Sequence, residues 1–230
     1  MPVALIDIDG TLIDSNHLHV LSWQRALRAA GVEVPSWRIL AHVGMGGDRL
    51  VAAVAGDAVE RRAGDQIRSA EGEHYSQLIE EARPLPGARE FLRALGRRGW
   101  RPVLASSAKP EEIEQYLRML DAGDAIHAWV SARDVATTKP APDLLQAALD
   151  RAGAQPDEAI MVGDTAWDVR AASRAGMPCI GVTSGGIARQ ELLNAGAVAV
   201  YEDAERLRSE LEQGVFDSLR ARITDVRRAI

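Results

Sequence analysis

The residues able to do chemistry begin at the seventh position. The apolar run Val3-Ala4-Leu5-Ile6 leads straight into Asp7-Ile8-Asp9-Gly10-Thr11-Leu12. An unbroken apolar segment suits a strand covered on both faces, and we read it as extending from Val3 to Ile8. Carboxylates at the end of such a strand are costly to bury unless a cation lies beside them. Side chains alternate along a strand, so the two-residue spacing aims Asp7 and Asp9 at one point. Gly10 permits a tight exit, and Thr11 offers a hydroxyl and a backbone N–H. Such a cluster could hold Mg²⁺, attack phosphorus and move a proton.

Three later places have matching chemistry. Ser106 and Ser107 follow the apolar stretch Pro102–Ala105, and Lys139 stands before Pro140 in Thr-Thr-Lys-Pro-Ala-Pro-Asp. Asp164, Thr165 and Asp168 follow Ala159–Gly163. Each has an ordinary alternative. The Asp-x-Asp pair could cap a turn, Ser106 or Asp164 could cap a helix, Asp168 could complement a helix dipole, and Lys139 could be a solvated loop lysine. Their joint occurrence is what points to phosphoryl transfer, which needs a nucleophile, a metal, and donors for the charge that develops on the phosphoryl oxygens.

The elements that must position these residues alternate. Strand-like runs at Val3–Ile8, Pro102–Ala105, His127–Ser131, Ala159–Gly163, Cys179–Thr183 and Val198–Tyr201 are separated by helical patterns at Ala88–Arg98, Glu111–Leu120, Asp143–Ala152 and Trp167–Ala175. The helices ahead of each strand end near glycines. The expected fold is α/β, a Rossmann-like parallel sheet flanked by helices, with ligands beyond the carboxyl ends of the strands. From about Asn16 to Ala82 the pattern is helix after helix, with Leu18, Leu21, Trp23 and Leu27 as one apolar stripe and Asp65–Glu81 as a long polar-faced helix. We expect a small all-helical cap domain, residues 16–84, inserted after the first strand into a core made of 1–15 and 85–230. The tail from Glu202 to Ile230 reads as a surface helix with a break at Gly214.

Composition narrows the function classes. The 230 residues are long enough for a sizeable core, and the net charge of −6 argues against a nucleic-acid partner. Cys179 is the single cysteine, which excludes an intrachain disulfide and fits a reducing, cytoplasmic compartment. The sequence shows no signal-peptide pattern and no run long enough to span a membrane, so no membrane partner is expected. Trp37, Trp100, Trp129 and Trp167 sit at element ends and are expected to pack in the core or at the site rim, Trp167 at the mouth of the site. No exposed apolar stripe stands out, and a monomer is expected.

Taken together the chain resembles the haloacid dehalogenase superfamily of phosphohydrolases, in the helical-cap branch similar to phosphoglycolate phosphatase and β-phosphoglucomutase. The likeness rests on Asp7-Ile8-Asp9-Gly10-Thr11-Leu12-Ile13-Asp14-Ser15, on Ser106, on Lys139 within Lys-Pro-Ala-Pro-Asp, and on Gly163-Asp164-Thr165-Ala166-Trp167-Asp168. The resemblance implies Asp7 as nucleophile, forming an aspartyl-phosphate, and Asp9 as general acid and base. On that role Asp9 is expected to have a pKa raised relative to Asp7. It implies Mg²⁺ held by the Asp7 side chain, the Asp9 carbonyl and Asp164, with Asp168 behind them or orienting Lys139. Ser106, Ser107, Lys139 and Thr11 are expected to hold the substrate. An acid at position 9 favours phosphate over carbon–halogen cleavage, because a halide leaving group needs no proton.

The cap is expected to close over the site from hinges near Ser15–Asn16 and Pro84–Gly87. His17 and His19 lie just past the first hinge, and His19 is a candidate for contact with substrate or Asp9. The loop Gly44-Met45-Gly46-Gly47-Asp48-Arg49 resembles the cap loop that reaches the site, so Gly46, Gly47 and Arg49 are expected at the substrate. The implied function is a Mg²⁺-dependent phosphatase of a small phosphorylated metabolite, phosphoglycolate-like or a sugar phosphate. The alternatives are a phosphosugar mutase, in which Arg49 would have to hold a second phosphate because Gly47 stands where mutases carry an arginine, and a non-catalytic phosphate-ligand sensor.

Overall fold

A computed structural model describes residues 1–216 and 218. Six parallel strands form the central sheet: β1 (Val3–Ile6), β4 (Arg101–Ala105), β5 (Ala128–Val130), β6 (Ala159–Gly163), β7 (Cys179–Val182) and β8 (Ala199–Tyr201). Their order is β5-β4-β1-β6-β7-β8. The chain therefore builds outward from β1 on one side, returns, and builds outward on the other. Ile6 is aligned with Leu104 of β4 and Val162 of β6, so the three strands end level with one another. This reversal of order beside β1 creates the crevice where parallel sheets bind ligands.

Period-two alternation divides the core. Ala4, Ile6, Leu104, Ile160 and Val162 join a layer with α5 (Ala88–Arg97), α6 (Pro110–Leu120) and α10 (Ala204–Glu212). Val3, Leu5, Val103, Ala105 and Met161 face α7 (Asp143–Ala152), α8 (Ala166–Ala175) and α9 (Arg189–Ala195). Both faces are covered, which is why the strands read as continuous apolar runs.

The all-helical cap follows β2 (Ile13–Asp14), which pairs antiparallel with β3 (Arg83–Pro84) where the chain returns. It holds α1 (Asn16–Ala29), α2 (Ser36–Leu40), α3 (Gly47–Ala55) and α4 (Asp57–Ser76), with α4 packed on α1 and α3. A separate apolar cluster gathers there, including Val20, Trp23, Leu27, Ile39, Leu50 and Ile67.

Several local expectations are corrected. β1 ends at Ile6, not Ile8, although Asp7 N still donates to the Val162 carbonyl at 2.9 Å. The buried stripe of α1 is Val20, Trp23, Ala26 and Leu27, while Leu18 and Leu21 are only partly covered. The polar helix starts at Asp57 and stops at Ser76, and Ile79–Glu81 is a separate 3₁₀ turn. α7 and α8 end at left-handed glycines, Gly153 and Gly176, but α6 ends at Asp121. Trp37 is 71% exposed, against the packing expected of it. β2, β3 and α9 were not foreseen. The helix expected in the tail is present as α10, and Gly214 has φ 80° after it; positions 217 and 219–230 lie outside the described residues.

Candidate active site

Four segments of the core converge at the carboxyl edge of the sheet. Asp7 continues β1, Ser106 follows β4, Asp164 follows β6, and Lys139 comes from the loop before α7. All four are essentially buried. The Lys139 ammonium donates to Asp7 Oδ1 at 2.6 Å and lies 2.7 Å from Asp168 Oδ1. Asp168 also completes the start of α8: its Oδ2 accepts from Thr165 N at 3.1 Å and from the Thr165 hydroxyl at 2.6 Å, while Thr165 Oγ1 accepts from Asp168 N. Thr165, not Asp164, caps that helix. One carboxylate thus serves both the helix start and the lysine.

Asp7, Asp164 and Asp168 bring carboxylate oxygens within 4.8 Å of one another. Three buried carboxylates against one ammonium leave a negative excess. Burial, the largest influence, pushes Asp7 up to about 7, with Asp168 and Asp9 adding to it against the pull of Lys139. Asp164 is raised well above the usual carboxylate range by burial and then by Asp168 and Asp7. Lys139 is held above its ordinary value because Asp168 and Asp7 outweigh its burial. A hard divalent cation with oxygen ligands fits this donor set and would relieve the excess.

Asp164 is further gripped by Asn16, which sequence reasoning missed, and by Thr11, which was expected at the substrate and instead donates to this carboxylate. Asn16 Nδ2 donates to its Oδ2 at 2.8 Å and to the Gly185 carbonyl at 3.0 Å, and Thr11 Oγ1 donates to its Oδ1 at 3.3 Å. A Cβ at Gly10 would sit 2.3 Å from Asp164 Oδ2, and one at Gly185 only 1.7 Å. The signal that could have found Gly185 is the small-residue stretch Ser184-Gly185 just past β7, at the same sheet edge as the other strand ends; Ser184 Oγ donates to the Gly10 carbonyl there.

Asp9 takes a different direction. It lies beyond β1, in an isolated bridge with Ile13, and its carboxylate is surrounded by donors. Oδ1 accepts from Ser15 Oγ at 2.6 Å and Tyr116 Oη at 2.9 Å and lies 3.2 Å from His19 Nε2; Ser106 Oγ donates to Oδ2 at 3.4 Å. His19 Nδ1 lies 3.3 Å from Glu71 Oε1, and its ring stacks on Tyr75 at 3.8 Å. Tyr75 of the cap and Tyr116 of the core share a hydrogen bond between their hydroxyls. Burial would raise Asp9, but His19, Ser15 and Tyr116 outweigh it and hold the carboxyl at about 2. Burial would lower His19, but Asp9 and then Glu71 push the imidazole up to about 10. The expected order is therefore reversed: Asp9 lies below Asp7, because His19, a candidate for this contact from the sequence, stands beside it as an imidazolium backed by Glu71.

A cavity of about 270 Å³ opens over these residues between core and cap. Asp7, Asp9, His19, Gly46, Gly47 and Ser107 line it, as does Lys109. Ser106, Thr11 and Lys139, expected at the substrate, are buried and do not line it, and neither does Asp164; Lys139 and Ser106 reach it only through their contacts with Asp7 and Asp9. Ser106 Oγ accepts from Ala108 N at 3.0 Å, a turn contact rather than a cap of α6. The glycine-bearing loop does come close to the core, for a Cβ at Gly46 would meet Thr138 Oγ1 at 2.1 Å. Arg49 lies outside the cavity, 3.9 Å from Asp48; the arginine on the wall is Arg68 of α4. His17 is exposed. Trp167 is not at the mouth either, since its Nε1 donates to the Ala41 carbonyl across the core–cap seam.

The model of the family described as "haloacid dehalogenase-like hydrolase" matches residues 1–176. Among curated proteins the chain is 31% identical over 213 residues to a phosphoglycolate phosphatase of Rhodospirillum rubrum, covering 88% of each chain. It is 30% identical over 194 residues to the validoxylamine A 7'-phosphate phosphatase of Streptomyces hygroscopicus subsp. limoneus, covering 79% of this chain and 85% of that one. Among solved structures, a hydrolase from Pseudomonas syringae superimposes with a TM-score of 0.87 at 32% identity, over 93% of this chain and 99% of the other.

Proposed function

Because this chain belongs to the haloacid dehalogenase-like hydrolases and is a phosphoric monoester hydrolase, we propose that it cleaves a small phosphorylated metabolite by way of a phosphorylated Asp7. The observation that carries this reading is the convergence of Asp7, Lys139, Asp164 and Asp168 at one sheet edge beneath a cavity.

An Asp7 carboxylate oxygen attacks phosphorus as the bond from phosphorus to the alcohol oxygen breaks. Asp9 passes to the departing oxygen a proton that it draws from the His19 imidazolium. Water, giving its proton to Asp9, then attacks the phosphorus of the Asp7 acyl phosphate, and the Asp7–phosphorus linkage breaks to release phosphate. In this reading Lys139 and Ser106 offer donors to the phosphoryl oxygens, and His19, 3.2 Å from Asp9 Oδ1, keeps a proton within reach of that carboxylate. Mg²⁺ would be held by Asp7 and Asp164 with the Asp9 carbonyl, and Asp168 beside them; when bound it supplies positive charge that keeps Asp7 ionised and offsets charge on the phosphoryl group. The cap over the cavity keeps bulk water from the reacting atoms. The division of the chain at residues 15/16 and 84/85 and a monomeric, cytoplasmic enzyme belong to the same reading. Arg49 outside the cavity weakens the mutase alternative, which needs a grip on a second phosphate.

The test is turnover of p-nitrophenyl phosphate with Mg²⁺ and with a chelator, for the wild type and Asp7→Asn. Activity should need the metal and fall on the order of 10⁴-fold or more in the variant. Undiminished turnover in Asp7→Asn would remove the assigned nucleophile.

A further inference from the structure

We propose that the alcohol released by this enzyme is hydroxyl-rich and carries no negative charge of its own, a sugar or polyol, and that esters bearing a second anion are disfavoured; this rests on the phosphatase reading and concerns the same cavity.

The cavity wall beyond the phosphate cluster holds three carboxylates, Asp48, Glu71 and Glu112. Its cations are already engaged. His19 stands between Asp9 and Glu71 at 3.2 and 3.3 Å. Arg68 is paired with Glu60 at 2.9 Å and Asp65 at 2.7 Å, and donates to the Gly47 carbonyl at 3.2 Å. Lys109 is the loosest, 46% exposed, yet its ammonium is 3.9 Å from Glu112 and lies so close over α4 that a Cβ at Gly72 would meet it at 2.1 Å. Among the described residues lining the cavity, every cation has a carboxylate within 4.0 Å. A carboxylate or second phosphate on the substrate would find no unclaimed positive partner and would lie against like charge, which is a strong basis for rejection. Burial raises the pKa of Glu112, and Glu71 adds to it against the pull of His19 and Lys109.

The same wall suits hydroxyls. A carboxylate accepts hydrogen bonds from hydroxyl donors without any change in net charge. Trp23, Val43, Met45 and Leu50 supply an apolar side for the carbon skeleton, as sugar-sized ligands need. At 270 Å³ the cavity has room for about nine water molecules, ample for a polyol chain.

The experiment uses two esters of one carbon skeleton, glycerol 3-phosphate and 3-phosphoglycerate, which differ in a hydroxymethyl against a carboxylate. Measured with Mg²⁺ on the full-length enzyme, kcat/KM should favour glycerol 3-phosphate by about tenfold or more, as expected for a like-charge clash. Glu112→Gln, which keeps the oxygen that accepts from Lys109 N at 2.9 Å, should narrow that ratio about two- to fivefold by freeing Lys109. Equal or better hydrolysis of 3-phosphoglycerate, with p-nitrophenyl phosphate still turned over, would overturn this inference alone. Inactivity toward all three esters would remove the phosphatase reading and this inference with it.

Discussion

Asp7 and Asp9 are separated by one residue and occupy opposite electrostatic worlds. Asp7 sits among carboxylates with a single ammonium and is pushed up to about 7; Asp9 sits among donors and is held at about 2. The partners also differ in origin. Lys139, Asp164 and Asp168 all come from the core around the sheet edge, whereas the donors around Asp9 are shared between the core, with Tyr116 and Ser106, and the cap, with His19. Glu71 and Tyr75 of α4 stand behind His19. One carboxylate is therefore fixed by the α/β framework alone. The other depends on how the cap lies against that framework, so cap position and Asp9 environment are physically linked.

The sharpest way to break the core side of that contrast is Lys139→Met. The substitution leaves Asp7 and Asp168 buried without their ammonium. Removing one partner of a buried pair costs about 3–5 kcal/mol. Urea unfolding of the metal-free protein at pH 8 should show a loss of that order. Raised above its unfolded value of 3.8, Asp7 binds a proton more readily in the folded state between about pH 4 and 7. At pH 5 it is protonated and needs the ammonium less, so the loss should shrink there. A loss independent of pH would mean that Asp7 does not titrate in this window.

His19→Gln probes the shared side and should have a smaller effect, about 2 kcal/mol, the usual worth of a hydrogen bond to a charged group. Here the sign with pH is different. His19 is raised from 6.5 to about 10, so its contribution is complete below 6.5 and is lost as the pH rises through 10. Asp9 is lowered from 3.8 to about 2, so its contribution is complete above 3.8 and is lost as the pH falls through 2. The difference in unfolding free energy between wild type and His19→Gln should be largest from about pH 4 to 6.5 and fade at higher pH. A flat difference across that alkaline range would show that no imidazolium pairs with Asp9.

The two sides were unequally legible in the sequence. The core cluster could be read because each member follows or adjoins a strand-like run, and parallel strands must end at one edge; Asp7, Ser106 and Asp164 fall at the ends of β1, β4 and β6. Lys139 is the exception: it follows no strand-like run, and it was read only from its joint occurrence with the other sites, since its loop has no periodicity. Asp9 was seen as a carboxylate with His19 as a candidate neighbour, but its state was not, because that also depends on Tyr116, 107 positions away in α6, and on Glu71, on a different cap helix from His19. Helical periodicity places such residues on a face without saying which core residue that face will meet. Arg49 and Arg68 illustrate the same limit: both are helix arginines, and only the packing of α4 against α3 turns Arg68 to the cavity.

Tyr116→Phe offers the finest separation of the two sides. It deletes one donor to Asp9, at 2.9 Å, and one partner of the Tyr75 hydroxyl while leaving the ring in the core. The expected loss is about 1 kcal/mol, or roughly fivefold where the interaction matters to the rate. Losing that donor lets the Asp9 pKa rise, so the acid limb of the kcat profile should move to higher pH while the Asp7-dependent metal requirement stays unchanged. Tyr75→Phe is the control, because Tyr75 reaches Asp9 only through Tyr116 and the stacked His19. If both variants shifted the acid limb equally, the two tyrosines would act as one unit bridging cap and core. A shift confined to Tyr116→Phe would assign the effect to the hydroxyl that touches the carboxylate, and would make the Asp9 state partly independent of the cap.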